Sequence, residues 1–349
     1  MAEKGFNLPG EWEKQSGVLI TWPHKQSDWI ESLSEIEAFY INLSKAICQY
    51  EKLVIITYDY QLKDHIQSLF EIHKVNLDNT IFHIAKTNDT WTRDYGPICL
   101  TQDSKSHLLD FKFNGWGEKY SSSLDNNITS DLLLKQTLQT YESKQIDFVL
   151  EGGSIESDGN GTLLTTSSCL LSNNRNPIYT QKDIDTFLQT TLGVKQVLWL
   201  NEGYLSGDDT DSHIDVLARF ADSNTILYIK CENKNDEHYA SSKAMESQLK
   251  TFCNYEGKPY QLIALPFPEA KYDEENRRLA ASYANFLIIN SAVLMPTYND
   301  PNDEIAIQIL QNTFKDREVI GIPSIAAIKQ NGSLHCLTMH LPVGIINNS

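Results

Sequence analysis

The sequence predicts an α/β fold, and three observations carry that prediction. Apolar residues at helical spacing are followed at once by a β-rich run, and this pair returns along the whole chain. No Pro/Ser-rich linker or charge block interrupts the repeats, so residues 1–349 are expected to form a single domain.

The first pair is a helix through Ile36, Phe39, Tyr40, Leu43 and Ile47, then a strand from Leu53 to Tyr58. A second helix from Leu62 to Phe70 precedes a strand from Ile81 to Ile84. The order returns with Leu132 to Tyr141 before Ile146 to Leu150, and with Ile184 to Leu192 before Val197 to Leu200. It returns again with Ala240 to Phe252 before Tyr260 to Leu265, and with Ile305 to Phe314 before Val319 to Ile322. Asp94, Glu151, His213 and Cys336 each follow such a pair, in a Gly- or Asn-containing segment after the strand. If the units surround a common centre, those segments converge on it.

Composition narrows the function classes. With 349 residues and 41% hydrophobic content, the chain can fill a large core. No run of about 18 apolar residues appears, and the N-terminus lacks a basic segment followed by an apolar one. A cytoplasmic protein that neither spans nor binds a membrane is therefore expected. The formal charge of −17 disfavours nucleic acid as a partner, whose binding rests on clustered Lys and Arg, and suits either solubility or the approach of a cation. The six cysteines are dispersed without a Cys-x-x-Cys pair, which argues against a disulfide framework and a structural zinc site.

Several side chains carry possible chemistry. Cys336 lies in Gln330-Asn331-Gly332-Ser333-Leu334-His335-Cys336. A free thiol is only a few per cent ionised at neutral pH, so a nucleophilic cysteine needs a base or a nearby positive charge, and a guanidinium substrate would bring one. Asp94 and Asp215 are either solvated loop carboxylates or an inward-facing pair. The second arrangement would cost several kcal/mol per group unless a cation such as a planar guanidinium compensated it. Trp91 either covers such a cation by its face or packs near a turn.

His213, between Asp211 and Asp215, has three readings: a satisfied loop histidine, a metal ligand, or a general acid/base. Asp211-Ser212-His213-Ile214-Asp215 is an Asp-x-His-x-Asp run like one motif of manganese ureohydrolases, but the second aspartate-rich motif those enzymes need is missing. A calcium loop starting at Asp209 fails at Phe220, where a Glu is required, and the zinc deaminase signature is absent.

Taken together, the motifs resemble the agmatine deiminases, in the family that also holds the Porphyromonas-type peptidylarginine deiminases. The resemblance spans nearly the whole chain. It is carried by Asn88 to Pro97, by Leu150-Glu151-Gly152-Gly153-Ser154-Ile155, by Gly161 to Thr166 through Asn174-Arg175-Asn176-Pro177, by Gly207 to Asp215 with Ala218-Arg219-Phe220, and by His335-Cys336. It implies a five-fold pseudosymmetric α/β propeller of about 70 residues per unit, with the active site in a central channel. It also implies roles: Cys336 as nucleophile, His213 as general acid/base, Glu151 orienting and charging His213 while contacting the guanidinium, and Asp94 and Asp215 clamping the guanidinium.

The implied reaction is hydrolysis of agmatine to N-carbamoylputrescine and ammonia through a covalent amidino-thioether, with no cofactor or metal. Acidic surplus at Asp208, Asp209 and Asp211 favours agmatine, a small cationic guanidino substrate, over arginine or peptidyl-arginine, and Asp209 is a candidate substrate contact. Rivals are a manganese ureohydrolase, an amidinotransferase and a non-catalytic guanidinium-binding protein. A homo-oligomer is expected only from the general prevalence of such assemblies. The sequence departs from the family in one place, with a single Gly in Gln330-Asn331-Gly332-Ser333-Leu334 where a Gly-Gly-rich segment usually precedes His-Cys. Asn tolerates the left-handed backbone better than most residues, so the loop is expected to keep its shape.

Overall fold

A computed structural model describes residues 5–102 and 105–347. Part of the N-terminal stretch read for a signal segment, residues 1–4, lies outside them. The described strands form five small sheets, and the same sub-structure builds each one. A first strand pairs antiparallel with a second, and the second runs through a helix to a third strand parallel to it.

In chain order, β1 (Gln15–Thr21), β2 (Lys52–Thr57) and β3 (Thr80–Ile84) lie in one sheet. The next holds β4 (Ile98–Gln102), β5 (Lys105–Lys112) and β6 (Glu142–Val149); then come β7 (Ile155–Ser157), β8 (Thr162–Thr166) and β9 (Gln196–Leu200). The last two sheets are β10 (Ala218–Asp222), β11 (Thr225–Lys230) and β12 (Gln261–Pro266), and β13 (Leu287–Ile289), β14 (Ala292–Thr297) and β15 (Glu318–Pro323). The C-terminal strand β16 (Thr338–Pro342) supplies the antiparallel member the first unit lacks: Leu19 of β1 stands opposite Met339 on one side and Val54 on the other. The ring of units thus closes on itself, and the five-fold pseudosymmetric α/β arrangement expected from the motifs is present.

The expected helices form because one face of each is apolar. Leu33–Ile47 buries Ile36, Phe39, Tyr40, Leu43 and Ile47, the residues whose spacing predicted it. Gln181–Leu192 starts at a capping box, where Thr180 and Asp183 satisfy each other's backbone N–H groups, and stops at Gly193, whose φ of 73° is cheap only for a residue without Cβ. The helix expected from Leu132 to Tyr141 is displaced toward the N-terminus: it runs Ile128–Leu134 and ends where Gln136 turns left-handed at φ 59°. Beyond it Leu138 bridges Ile346, and the Gln139 N–H donates to the Ile345 carbonyl at 2.7 Å. Pairing with the C-terminal segment thus buries Leu138 in place of a helical face.

No helix among the described residues is long and apolar enough to cross a membrane. The six cysteines are free, and five of them are buried.

Candidate active site

Five segments join the last strand of one unit to the first strand of the next, and all reach the centre. Asp94 precedes β4, Glu151 precedes β7, His213 and Asp215 precede β10, Asn285 precedes β13 and Cys336 precedes β16. Asp94, His213, Asp215 and Cys336 line one cavity of about 550 Å³, part of it open to solvent.

Cys336 sits on its floor, 6% exposed. Its Sγ lies 3.6 Å from Asp215 Oδ2 and receives a hydrogen bond from Asn285 Nδ2 at 3.2 Å. Asn285 Oδ1 meanwhile accepts from the backbone N–H groups of His335 (2.9 Å) and Cys336 (3.3 Å), which fixes the turn that presents the thiol. Burial, and then the charges of Asp215 and Asp94, push the Cys336 thiol well above its ordinary range. That field favours the thiol, and a cation placed between it and the carboxylates would favour the thiolate.

Asp215 is buried, and its Oδ2 accepts from His335 Nδ1 at 2.8 Å while its Oδ1 has no hydrogen-bond partner among the described residues. His335 Nε2 lies 2.8 Å from Glu11 Oε2. Carboxylates only accept, so either both nitrogens of His335 carry protons or one carboxyl does. Burial works against ionised Asp215, but the His335 hydrogen bond together with the charges of His335, His213 and Arg93 outweighs it and holds the carboxyl below its usual range. Behind this pair Glu11 also meets Arg93 (3.2 Å) and Arg219 (3.0 Å), both buried.

On the opposite wall, Asp94 accepts from Trp116 Nε1 and from the Gly153 N–H, each at 2.9 Å. Burial raises Asp94 to about 6, with Asp215 and Glu151 adding to the rise and His213 opposing it. His213 Nδ1 stands 3.6 Å from Asp94 Oδ1, and Nε2 stands 3.8 Å from Glu151 Oε2. Burial disfavours the imidazolium, yet Asp94 foremost, then Cys169 and Glu151, hold its pKa well above the ordinary value. Glu151 is fully buried behind His213, away from the cavity wall, and both its oxygens accept from Arg175 Nε at 2.9 Å.

The mouth is acidic and aromatic. Trp91, Trp116 and Tyr120 line it with Asp28, Asp89, Asp208 and Asp209, and no Arg or Lys does so. Asp209 accepts from Tyr120 Oη at 2.5 Å and meets Lys119 at 3.4 Å. Asp211 turns away to Arg175, at 2.6 Å. Burial lifts Asp89 to about 7, helped by the charge of Asp28, and Asp89 Oδ2 accepts from Trp91 Nε1 at 3.2 Å.

Comparison with known proteins now bears on this geometry. The model of the Porphyromonas-type peptidyl-arginine deiminase family matches residues 7–342. The chain belongs to that family. An agmatine deiminase of Pseudomonas syringae is 31% identical over 363 residues, which covers 97% of this chain and 96% of its own. A solved C. jejuni agmatine deiminase, a cysteine-to-serine variant with substrate bound, superposes with a TM-score of 0.88 at 40% identity, covering 97% of each chain. An Enterococcus faecalis agmatine deiminase superposes with a TM-score of 0.86 at 28% identity, over 98% of this chain and 97% of the other.

The loop before His335-Cys336, which has a single glycine, uses an asparagine for its left-handed turn. Asn331 takes the left-handed conformation, φ 69°. Gly332 remains where no other residue fits, since a Cβ there would lie 2.2 Å from the Trp91 ring. Sequence reasoning brought Asp94, Glu151, His213, Asp215, Cys336, Trp91 and Asp209 to one place, and the structure adds Asn285, Trp116, Arg175, Gly153 and Glu11 around them. Asn285 had a signal: it stands two residues before β13, as Cys336 stands two before β16.

Proposed function

We propose that the chain is an agmatine deiminase that hydrolyses the substrate's guanidinium to a ureido group, giving N-carbamoylputrescine and ammonia. The observation that carries this reading is a thiol, Cys336, on the floor of a cavity whose walls are the carboxylates of Asp94 and Asp215 and whose mouth bears acids without a lining Arg or Lys. A guanidinium's flat face and N–H edges suit two carboxylates, and its charge relieves their burial. An arginine α-carboxylate would meet no lining Arg or Lys, since nearby Lys119 is already paired with Asp209 and Asp211, whereas the far ammonium of agmatine finds Asp28 and Asp89. The solved relatives named agmatine deiminase support the same choice.

In this mechanism the cation enters and offsets the field that keeps Cys336 protonated, the thiol gives up its proton to solvent, and the thiolate adds to the central guanidinium carbon. Asp215 and Asp94 hold the nitrogens and fix the approach. His213, charged in the resting site and anchored from behind by Glu151 and Arg175, gives its proton to the departing ammonia. The amidino-thioether remains. Neutral His213 then takes a proton from a water that adds to the same carbon, and collapse frees the ureido product and the Cys336 thiolate. Trp91 and Asp209 are assigned to substrate contact at the mouth.

Incubation with agmatine in oxygen-18 water tests the reading. Equal amounts of ammonia and N-carbamoylputrescine labelled in the ureido oxygen are expected. Urea and putrescine would instead indicate a ureohydrolase, and transfer of the amidino group to an added amine, with putrescine released and no ammonia, would indicate an amidinotransferase.

A further inference from the structure

Behind His213, on the side turned from the cavity, a second thiol is held. Cys169 lies in the short helix Ser167–Leu170 after β8, and its Sγ stands 3.7 Å from Glu151 Oε2. His213 Nε2 stands 3.8 Å from the same oxygen. One ligand atom from each of Cys169, Glu151 and His213 lies within 4.8 Å of the other two, and all three residues are buried. Nε2 is itself buried and has no hydrogen-bond partner among the described residues. Thr166 ties the group together: its Oγ1 accepts from the Cys169 N–H at 3.3 Å and donates to the Ser212 carbonyl, next to His213, at 2.7 Å.

We propose that Glu151, Cys169 and His213 form an inhibitory site for a thiophilic divalent cation, with zinc the best match. Thiolate, imidazole and carboxylate are its preferred ligands, and tetrahedral zinc holds such atoms about 3.3–3.6 Å apart, given metal bonds of about 2.0–2.3 Å. Two of the separations exceed that by only a few tenths of an ångström. On binding, Cys169 and His213 each release a proton to solvent, and Zn–S and Zn–N bonds replace the S–H and N–H bonds. The second anion suits a site where the Glu151 charge is already shared with Arg175, whose own NH1 is paired with Asp211. A water fills the fourth position. Zinc so placed immobilises the His213 ring and occupies Nε2, so turnover stops. The binding half of this inference is independent of the reaction, while the inhibitory half rests on His213 acting as the proton carrier.

The full chain is incubated with zinc chloride, freed of excess metal and assayed for zinc content and agmatine turnover; cobalt(II) is used in parallel, because a thiolate ligand gives it a charge-transfer band. Expected are one zinc per chain, a turnover loss of at least about tenfold that a chelator reverses, and a cobalt–thiolate band. Both band and zinc should persist in Cys336→Ser and disappear in Cys169→Ser, with Cys169→Ala as the second variant. A band that disappears with Cys336→Ser and persists without Cys169 would put the metal on the other thiol and overturn the proposal, as would the absence of stoichiometric zinc in the unaltered chain. Zinc bound through Cys169 with turnover intact would overturn the inhibitory role alone and count against His213 as the proton carrier. Should neither Cys169 variant fold, the band in the unaltered chain and in Cys336→Ser decides.

Discussion

Gly153→Ala should damage catalysis far more than it damages the fold. A Cβ at this position would lie 2.6 Å from His213 Nδ1, 2.8 Å from Asp94 Oδ1 and 3.2 Å from Asp215 Oδ2. Ordinary contact begins near 3.4 Å, so the imidazole must retreat by about 0.8 Å and the Asp94 oxygen by about 0.6 Å. Both atoms belong to side chains, and Asp94 is pinned: the Gly153 N–H itself donates to its Oδ1 at 2.9 Å, and Trp116 holds its Oδ2. A displacement approaching 1 Å within a reacting constellation costs roughly a hundredfold, or about 2.7 kcal/mol of transition-state stabilisation. Overpacking by one methyl costs stability about 1–3 kcal/mol, which a folded chain of this size tolerates. Steady-state turnover of agmatine beside thermal denaturation separates the two effects. A kcat/KM within threefold of the parent would refute the close approach of His213 and Asp94 to this glycine. Gly152 is a useful contrast: its added Cβ would fall 2.2 Å from the Arg93 carbonyl, which is backbone, so Gly152→Ala should lose the fold first.

Four further outcomes are expected. Cys336→Ser should abolish turnover while still binding agmatine, because the hydroxyl lacks an accessible anion at neutral pH; activity within about tenfold of the parent would end covalent thiol catalysis. Asp215→Asn should lower kcat/KM by at least about 1.5 kcal/mol, since it exchanges a charged acceptor for an amide, and a loss under about 1 kcal/mol would remove Asp215 from substrate recognition. Because burial and two carboxylates raise the Cys336 thiol, its labelling by iodoacetamide in the substrate-free protein should be slow at pH 7 and climb about tenfold per pH unit beyond pH 9; a plateau below pH 7 would mean a resting thiolate. Agmatine should be preferred to arginine by at least about a hundredfold in kcat/KM, and comparable rates would show that the acids at the mouth do not select the far end of the substrate.

What the sequence disclosed, it disclosed through period and motif. The helices beside Ile36 to Ile47 and Ile184 to Leu192 show their buried faces in the spacing of apolar residues, and the strands after them follow as β-rich runs. The hairpins that open each unit were illegible for a physical reason. β11 (Thr225–Lys230) and β14 (Ala292–Thr297) are covered on both faces, so their residues show no alternation, and β7 has only three residues. Likewise the charged acids, imidazole and thiol stood out as reactive groups, while Gly153 matters only for what surrounds it.

The buried charges at the centre explain why a strongly acidic chain has so few free cations to offer a substrate's carboxylate. Arg93 and Arg219 meet Glu11, Arg219 meets Glu156, and Arg175 meets Glu151 and Asp211. Removing one partner of a buried pair leaves an uncompensated charge and costs about 3–5 kcal/mol, so none of these guanidinia is available to a ligand. Glu11 and His335 are separated by 324 residues yet joined at 2.8 Å, and His335 passes that contact on to Asp215 at the cavity. The cationic side chains nearest the site are therefore committed to holding Glu151 and Glu11 in place. The carboxylates left without an arginine partner, Asp94 beside His213 and Asp28, Asp89 and Asp208 at the mouth, are the ones a dication would satisfy.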